Sequence, residues 1–412
     1  MKNFNKLLGS SVAIVLGIST LSYYAAIWPT SAYGKTREET EVPSRSLPEE
    51  QIATKSEKKI QVVFALDATG SMAGLIGAAK EKIWSIASSF AQSDSTTVEM
   101  GLVFYRDKGD EFVTKRIPLS ADIDSVYEQL MAIAADGGGD SPESVNQGLY
   151  EAITKMDWSK DSSTFKSVFL VGDQPPHMDY QDDVKYTQSC GIAIEKDVVL
   201  NTILMGSDAQ AKVIWKKIAS CAQGDFVQVD MNVNNITVAT PYDDKIAELS
   251  SEMDKTRVYY GSASDKKKQS AKSIQSTKLK ASISSSTAAR RAEYNNDTKT
   301  GKTAYMGTNE LVNDFKEGKL DIATIAKDKL PEEMASMDAA QRKEYLNEKV
   351  KHRDSISTNM KQLIVQRKAF LDKELSKKNK GEVEKSFDYT IYENVKKQAA
   401  KKKISLKGNA KL

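Results

Sequence analysis

The sequence predicts an α/β fold: an open, mostly parallel sheet with helices on both faces, followed by a mainly helical C-terminal region. Three observations predict it. Between Ile60 and Val229, short apolar runs rich in β-branched residues alternate with segments of helical spacing. The stretches between them hold Gly, Asp, Ser and Pro, the residues of turns and caps. After the last strand at Val229 the strand pattern stops, and beyond Thr303 a long amphipathic stretch of mixed charge takes over.

Ile60 to Leu66, bounded by Asp67, is the first buried strand. A helix is expected from Ser71 to about Gln92, with Leu75, Ala79, Ile83, Ile86 and Phe90 on one face. Val98 to Tyr105 is the second strand, and Phe112 to Leu119 alternates like an edge strand. Ser120 is expected to cap a helix carrying Ile123, Val126, Leu130 and Ile133. After Gly137 to Gly139 comes a helix from Pro142 to Met156, then a buried strand from Phe165 to Val171. A helix over Asp182 to Lys196, a strand over Val198 to Met205, a helix over Ala209 to Ala222 and a strand over Phe226 to Val229 complete the alternation.

A chain of 412 residues exceeds one ordinary core. The boundaries expected are a signal peptide or N-terminal membrane anchor over 1–32, a linker over 33–58 and the α/β domain over 59–230. A connector with a helix and a Lys/Ser-rich segment follows over 231–303, then a helical region over 304–412. Lys2 and Lys6 precede an apolar run from Leu7 to Trp28, with small residues at Ser31 and Ala32. That is the layout of a secretory signal, and the run is almost long enough to serve as a retained anchor. The protein is therefore expected to be exported to the periplasm, cell surface or medium, with membrane contact available through residues 7–28. Cys190 and Cys221 are the two cysteines, and in an exported protein they are expected to pair. The net charge of +3 hides an asymmetry: residues 261–412 hold 34 Lys/Arg and 20 Asp/Glu, leaving 25 and 36 for the rest. The basic third suits an anionic surface polymer or simply a set of solvated helix faces; nucleic acid is not the expected partner.

In open α/β sheets, ligands sit beyond the carboxyl ends of the strands. Three loops there carry oxygen donors: Asp67-Ala68-Thr69-Gly70-Ser71, Gly139-Asp140-Ser141-Pro142-Glu143, and Gly172-Asp173-Gln174. Carboxylates and hydroxyls are hard ligands suited to Mg²⁺ first, with Mn²⁺ or Ca²⁺ as alternatives. Gly70 is expected to let the backbone turn so that Thr69 and Ser71 face one ion. Tyr105-Arg106-Asp107 shares the edge, and Arg106 and Asp107 read either as a ligand-contacting rim or as a turn with a salt bridge. His177 reads as a surface loop residue.

Asp67-Ala68-Thr69-Gly70-Ser71 resembles the D-x-S/T-x-S motif of the von Willebrand factor A family, over roughly Lys59 to Val229. The resemblance implies a metal-ion-dependent adhesion site with Thr69 and Ser71 as direct ligands and Asp67 and Asp173 as the two aspartates. The family usually supplies a Thr from the middle loop; here Asp140 holds the matching position, with Ser141 or Glu143 able to reach in after a small shift of register. An acidic ligand there would bring three carboxylates to the ion, tightening it and making it less electrophilic toward a partner's acid.

No phosphate loop, H-E-x-x-H or nucleophile elbow is present, and the histidines are His177 and His352. An enzyme is not expected. The leading reading is a metal-dependent binding module at a bacterial-type cell envelope, recognising a protein or a surface polymer. A structural or assembly factor acting through its C-terminal helices comes second, and a metal-dependent hydrolase third. In that last region Ser262 to Thr303, poor in apolar residues, reads as a flexible connector or loose helix. Asp338 with Gln341 forms a capping box ahead of a long helix, and Phe387 to Ala400 forms a last one.

Overall fold

The computed structural model describes residues 58–90, 96–139, 141–229, 238–378, 381 and 386–406. The segment expected to be a signal or anchor, the expected linker up to residue 57 and Asp140 lie outside the described residues, and Lys58, the last residue assigned to the linker, opens the first strand. All that follows concerns the unit Lys55–Leu412.

Six strands form one sheet in the order β3-β2-β1-β4-β5-β6. They are β1 (Lys58–Asp67), β2 (Thr96–Tyr105), β3 (Thr114–Ser120), β4 (Phe165–Gly172), β5 (Val199–Met205) and β6 (Phe226–Val229). All neighbours are parallel except β2 and β3, which makes β3 the antiparallel edge. The central strands are apolar on both faces because each face meets helices. Along β1, Ile60, Val62, Phe64 and Leu66 enter one core, while Val63 and Ala65 enter the other. β4 divides in the same way, Phe165, Phe169 and Val171 against Val168 and Leu170. This is the two-residue period of a pleated strand.

One face is covered by α3 (Val145–Thr154), α4 (Tyr186–Glu195) and α5 (Ala209–Cys221). Cys190 of α4 and Cys221 of α5 form the expected disulfide. The other face is covered by α1 (Ile76–Phe90) and α2 (Ile123–Ala132). A five-residue 3-10 turn, Gly70–Gly74, precedes α1 where sequence spacing suggested continuous helix. Helix α2 is capped by Asp122, whose Oδ1 accepts from Ser125 N at 3.1 Å, and not by Ser120. Ser120 Oγ instead accepts from Asp122 N at 3.0 Å.

Of the two readings of Ser262 to Thr303, flexible connector or loose helix, the structure takes the helical one. The stretch holds α7 (Ala263–Ser282), α8 (Ser285–Asp297) and α9 (Lys299–Met306), after α6 (Asp243–Lys255). Its apolar count is low because these helices dock through Ala288, Ala289, Ala292, Ser276 and a paired arginine instead of a leucine stripe. A reciprocal Ser262/Asp265 capping box starts α7. Arg291 of α8, 1% exposed, forks onto both oxygens of Asp124 on α2 and onto Ser276 Oγ at 2.8 Å. Further along come α10 (Leu311–Lys316), the 38-residue α11 (Ala339–Ser376), which does begin with the Asp338/Gln341 capping box, and α12 (Phe387–Ala400). In α11, Arg353 pairs with Glu310 and Arg367 with Asp243, both buried. Helix α12 returns to the sheet: Ile391, Tyr392, Val395 and Ala399 join the core that contains Ile60, Phe64 and α1.

Candidate metal centre

The strand order reverses between β1 and β4, so the loops leaving their carboxyl ends diverge and open a crevice. Register places Asp67 level with Tyr105 of β2, and Leu66 level with Val171 of β4. Asp67 and Asp173 therefore stand side by side at one edge, where the loop ahead of α3 folds over them.

Asp67 is fully buried. Its Oδ1 accepts from the Thr69 backbone N at 2.9 Å and from Thr69 Oγ1 at 2.7 Å. Its Oδ2 is buried without a hydrogen-bond partner. Thr69 Oγ1 lies 3.0 Å from Ser71 Oγ, which donates to Asp173 Oδ1 at 2.9 Å. From the third loop comes Glu143, 1% exposed, whose carboxyl faces Thr69 across Gly138 and buries Oε2 without a partner. Burial, reinforced by Asp173, pushes the Asp67 carboxyl up to about 7 against the help of the Thr69 bonds. Burial together with the charges of Asp67 and Asp107 pushes Glu143 up to about 8, and burial also raises Asp173.

The loops approach closely because glycines allow it. Gly70 N donates to Gly137 O at 2.9 Å, and a Cβ on Gly70 would stand 2.8 Å from that oxygen. Its role is thus close approach, not the tight turn expected from the sequence. Gly138 has φ +81°, and a Cβ there would meet Thr69 Cβ at 2.8 Å and Glu143 Oε1 at 3.0 Å.

Protons are scarce in this cluster. Thr69 and Ser71 carry one hydroxyl proton each. Ser71's serves Asp173, and Thr69's serves Asp67, Glu143 or Ser71, but only one of them. Hydroxyl donors fall short of carboxylate oxygens: Glu143 Oε2 is buried with no hydrogen-bond partner, and beyond Thr69 only the Asp173 backbone N–H faces Asp67. A cation would supply what is missing, and hard oxygen donors from three loops suit a divalent one. The residues therefore fit the ion that the motif implies: Thr69 and Ser71 as hydroxyl ligands, with Asp67, Asp173 and Glu143 supplying charge. Among the described residues, no three carboxylate, imidazole or thiol groups are arranged to hold an ion by themselves.

The other candidates are placed differently. Ser141 is exposed and donates to Gln174 Oε1 at 2.6 Å. Arg106 and Asp107 are 4% and 3% exposed and so are no open rim. Arg106 pins two loops, Nε to Ala68 O and NH2 to Ala134 O, both at 3.1 Å. Asp107 accepts from Ser144 Oγ at 2.8 Å and from the Tyr180 hydroxyl at 2.9 Å. His177, expected at the surface, is buried, stacked on Tyr180 with ring centroids 4.0 Å apart. Ser144 and Tyr180 escaped sequence reasoning because nothing in their local pattern marks a partner 37 or 73 residues away.

A family model described as "von Willebrand factor A domain" matches residues 61–231. The chain carries a von Willebrand factor A domain. Such domains commonly act as protein-interaction modules. A curated relative described as an ariadne-like RING finger protein of Acanthamoeba polyphaga mimivirus is 28% identical over 120 residues. That match spans 29% of this chain and 11% of the relative. Among solved structures, a von Willebrand factor type A protein from Catenulispora acidiphila is 17% identical, with a TM-score of 0.32. It is covered over 39% of its chain and 42% of this one. Proximal thread matrix protein 1 from the mussel byssus is 16% identical, with 42% of this chain and 41% of that one covered and a TM-score of 0.33. The SpRpn10 VWA domain is 12% identical, with 42% and 87% covered and a TM-score of 0.32.

Proposed function

We propose that this protein is a metal-dependent binding module of the cell envelope, which recognises another protein or a surface polymer at the edge bearing Asp67, Thr69, Ser71 and Asp173. The shortage of protons among these buried oxygens carries the reading. In water such a cluster would be solvated; here only a cation, or protons retained on the carboxyls, offsets the burial. The Cys190–Cys221 disulfide supports an exporting route, since such bonds persist in oxidising compartments. The apolar N-terminal run supplies the means of export or anchorage.

Metal binding is tested by thermal unfolding of the full chain in excess EDTA against Mg²⁺, Mn²⁺ or Ca²⁺. An ion at a hundredfold excess over its Kd stabilises the fold by about 2.7 kcal/mol. That gain should vanish in Thr69→Ala and Asp67→Ala. Melting curves that coincide with and without every ion would rule the site out. The assembly-factor reading makes a different forecast: partner binding insensitive to EDTA but sensitive to changes on α11.

A further inference from the structure

The end of the sheet opposite Asp67 is basic, and we propose that it docks on the surface of an anionic lipid bilayer. The turns that lead into β4 and β5 meet the tail of α12 here. Lys58 donates to the carbonyl of Lys403, and Lys402 pairs with Asp197 ahead of β5. Lys155, Lys160, Lys196, Lys397, Lys401 and Lys403 are exposed on this face, against Asp157, Asp161, Glu195 and the paired Asp197. The edge bearing Asp67 has the opposite sign, with Glu111, Asp136, Asp179 and Asp208 exposed. An anionic surface therefore attracts one end of the domain and repels the other.

Among these lysines lies a cavity of about 80 Å³, lined by Lys166, Gln398, Lys401 and Lys402. It is too small for a ligand of cofactor size, which needs about 300–1,000 Å³, but admits one phosphate-sized group. Lys166 is 7% exposed, and its Nζ donates to the carbonyls of Ser159 and Lys196. Those carbonyls carry no net charge, and Asp197, the acid that faces Lys166, is already paired with Lys402. Burial holds the Lys166 amine below its ordinary value, an effect that an anion in the cavity would oppose. Ile194, 58% exposed, also lines the cavity and offers the apolar contact that an interfacial surface makes.

Connectivity favours a bilayer over a free polymer as the occupant. β1 opens at Lys58 on this face, so the chain carrying the apolar run from Leu7 to Trp28 joins the domain here. A basic face at the attachment point of a membrane-directed segment meets lipid headgroups. β1 spans 10 residues at about 3.3 Å each, so docking holds the Asp67 edge about 30 Å from the headgroups, open to a partner.

The test uses the full chain carrying a fluorescent dye at Ser162→Cys, in the loop ahead of β4, or at Ser207→Cys, just past β5. Vesicles are phosphatidylcholine alone or an equal mixture with phosphatidylglycerol, both with a nitroxide headgroup lipid that quenches on contact. Quenching at Ser162→Cys should be roughly threefold greater, or more, on the anionic vesicles. Quenching at Ser207→Cys should be weak on both. High salt should return the Ser162→Cys signal to its neutral-vesicle level, and so should Lys196→Gln/Lys401→Gln/Lys403→Gln. The salt arm needs no substitution, and the melting temperature of the triple variant checks its fold. Equal quenching on the two vesicle types, persistence in high salt, stronger quenching at Ser207→Cys, or a folded triple variant that matches the wild type would overturn the inference. Self-quenching at Ser162→Cys that rises with protein concentration would assign the face to a second copy. A larger response to soluble polyphosphate than to anionic vesicles would assign it to a polymer, and either result overturns bilayer docking.

Discussion

Deleting residues 386–412 should abolish folding of the sheet domain, although the deletion begins more than 150 residues after its last strand. Helix α12 and the segment behind it place Ile391, Tyr392, Val395, Ile404 and Leu406, each at most 4% exposed, in the core that holds Ile60, Phe64 and Phe169. Burying one large apolar side chain stabilises by about 1.5–3 kcal/mol, so these five together contribute roughly 8–15 kcal/mol as an upper estimate. That is comparable with the whole stability of a typical domain, about 5–15 kcal/mol. Polar loss adds to it: Gln398 Nε2 donates to Asn201 Oδ1 at 2.9 Å and to Asp225 Oδ2 at 2.7 Å, and these acceptors would lose their donor. A milder version is Ile391→Ala, which should cost about 2–5 kcal/mol. Urea unfolding followed by circular dichroism measures both. A truncated chain with a cooperative transition at the urea midpoint of the full chain would refute the assignment of α12 to the sheet core.

Other perturbations follow from the same structure. Arg291→Met should destabilise by about 3–5 kcal/mol by leaving Asp124 buried and unpaired, and Asp124→Leu added to it should recover most of the loss in urea unfolding. Glu128 buries both oxygens without partners, and burial, aided by Asp124, pushes its carboxyl up to about 7. Its folded state therefore holds a proton that the unfolded chain releases, so stability is full below the ordinary Glu value and falls as pH rises through 7. Glu128→Gln should remove this slope and be more stable than wild type at pH 8, by about 3 kcal/mol; parallel pH profiles would contradict it. Reducing Cys190–Cys221, 31 residues apart, should lower stability by about 4 kcal/mol on the loop-entropy model, read as a drop in melting temperature with reductant.

The sheet was legible in the sequence because its strands are short, apolar and flanked by turn residues. Phe226–Val229 coincides with β6, and Val198 to Met205 misses β5 by one residue. Asp67, Thr69, Ser71 and Asp173 were legible as a group because each follows a strand that ends at the same edge. The middle loop was not. Which of its residues reaches Thr69 depends on the Glu143–Pro176 backbone bridge, a contact between loops that no local pattern encodes. Residues 263–306 stayed ambiguous between connector and helix because docking there relies on Arg291, Ser276 and alanines, whose composition resembles that of a linker. The return of α12 to the first core was equally hidden: its apolar face is evident, but the surface it covers is chosen by topology.

The most direct test of the account is a crystal structure of the full chain soaked in Mn²⁺, located by anomalous scattering. One strong peak is expected at the β1–β4 edge, bonded to Thr69 Oγ1 and Ser71 Oγ, with Asp67, Asp173 and Glu143 around it. A Mn²⁺-soaked crystal with no peak there, and with Thr69 still hydrogen-bonded to Ser71, would contradict it.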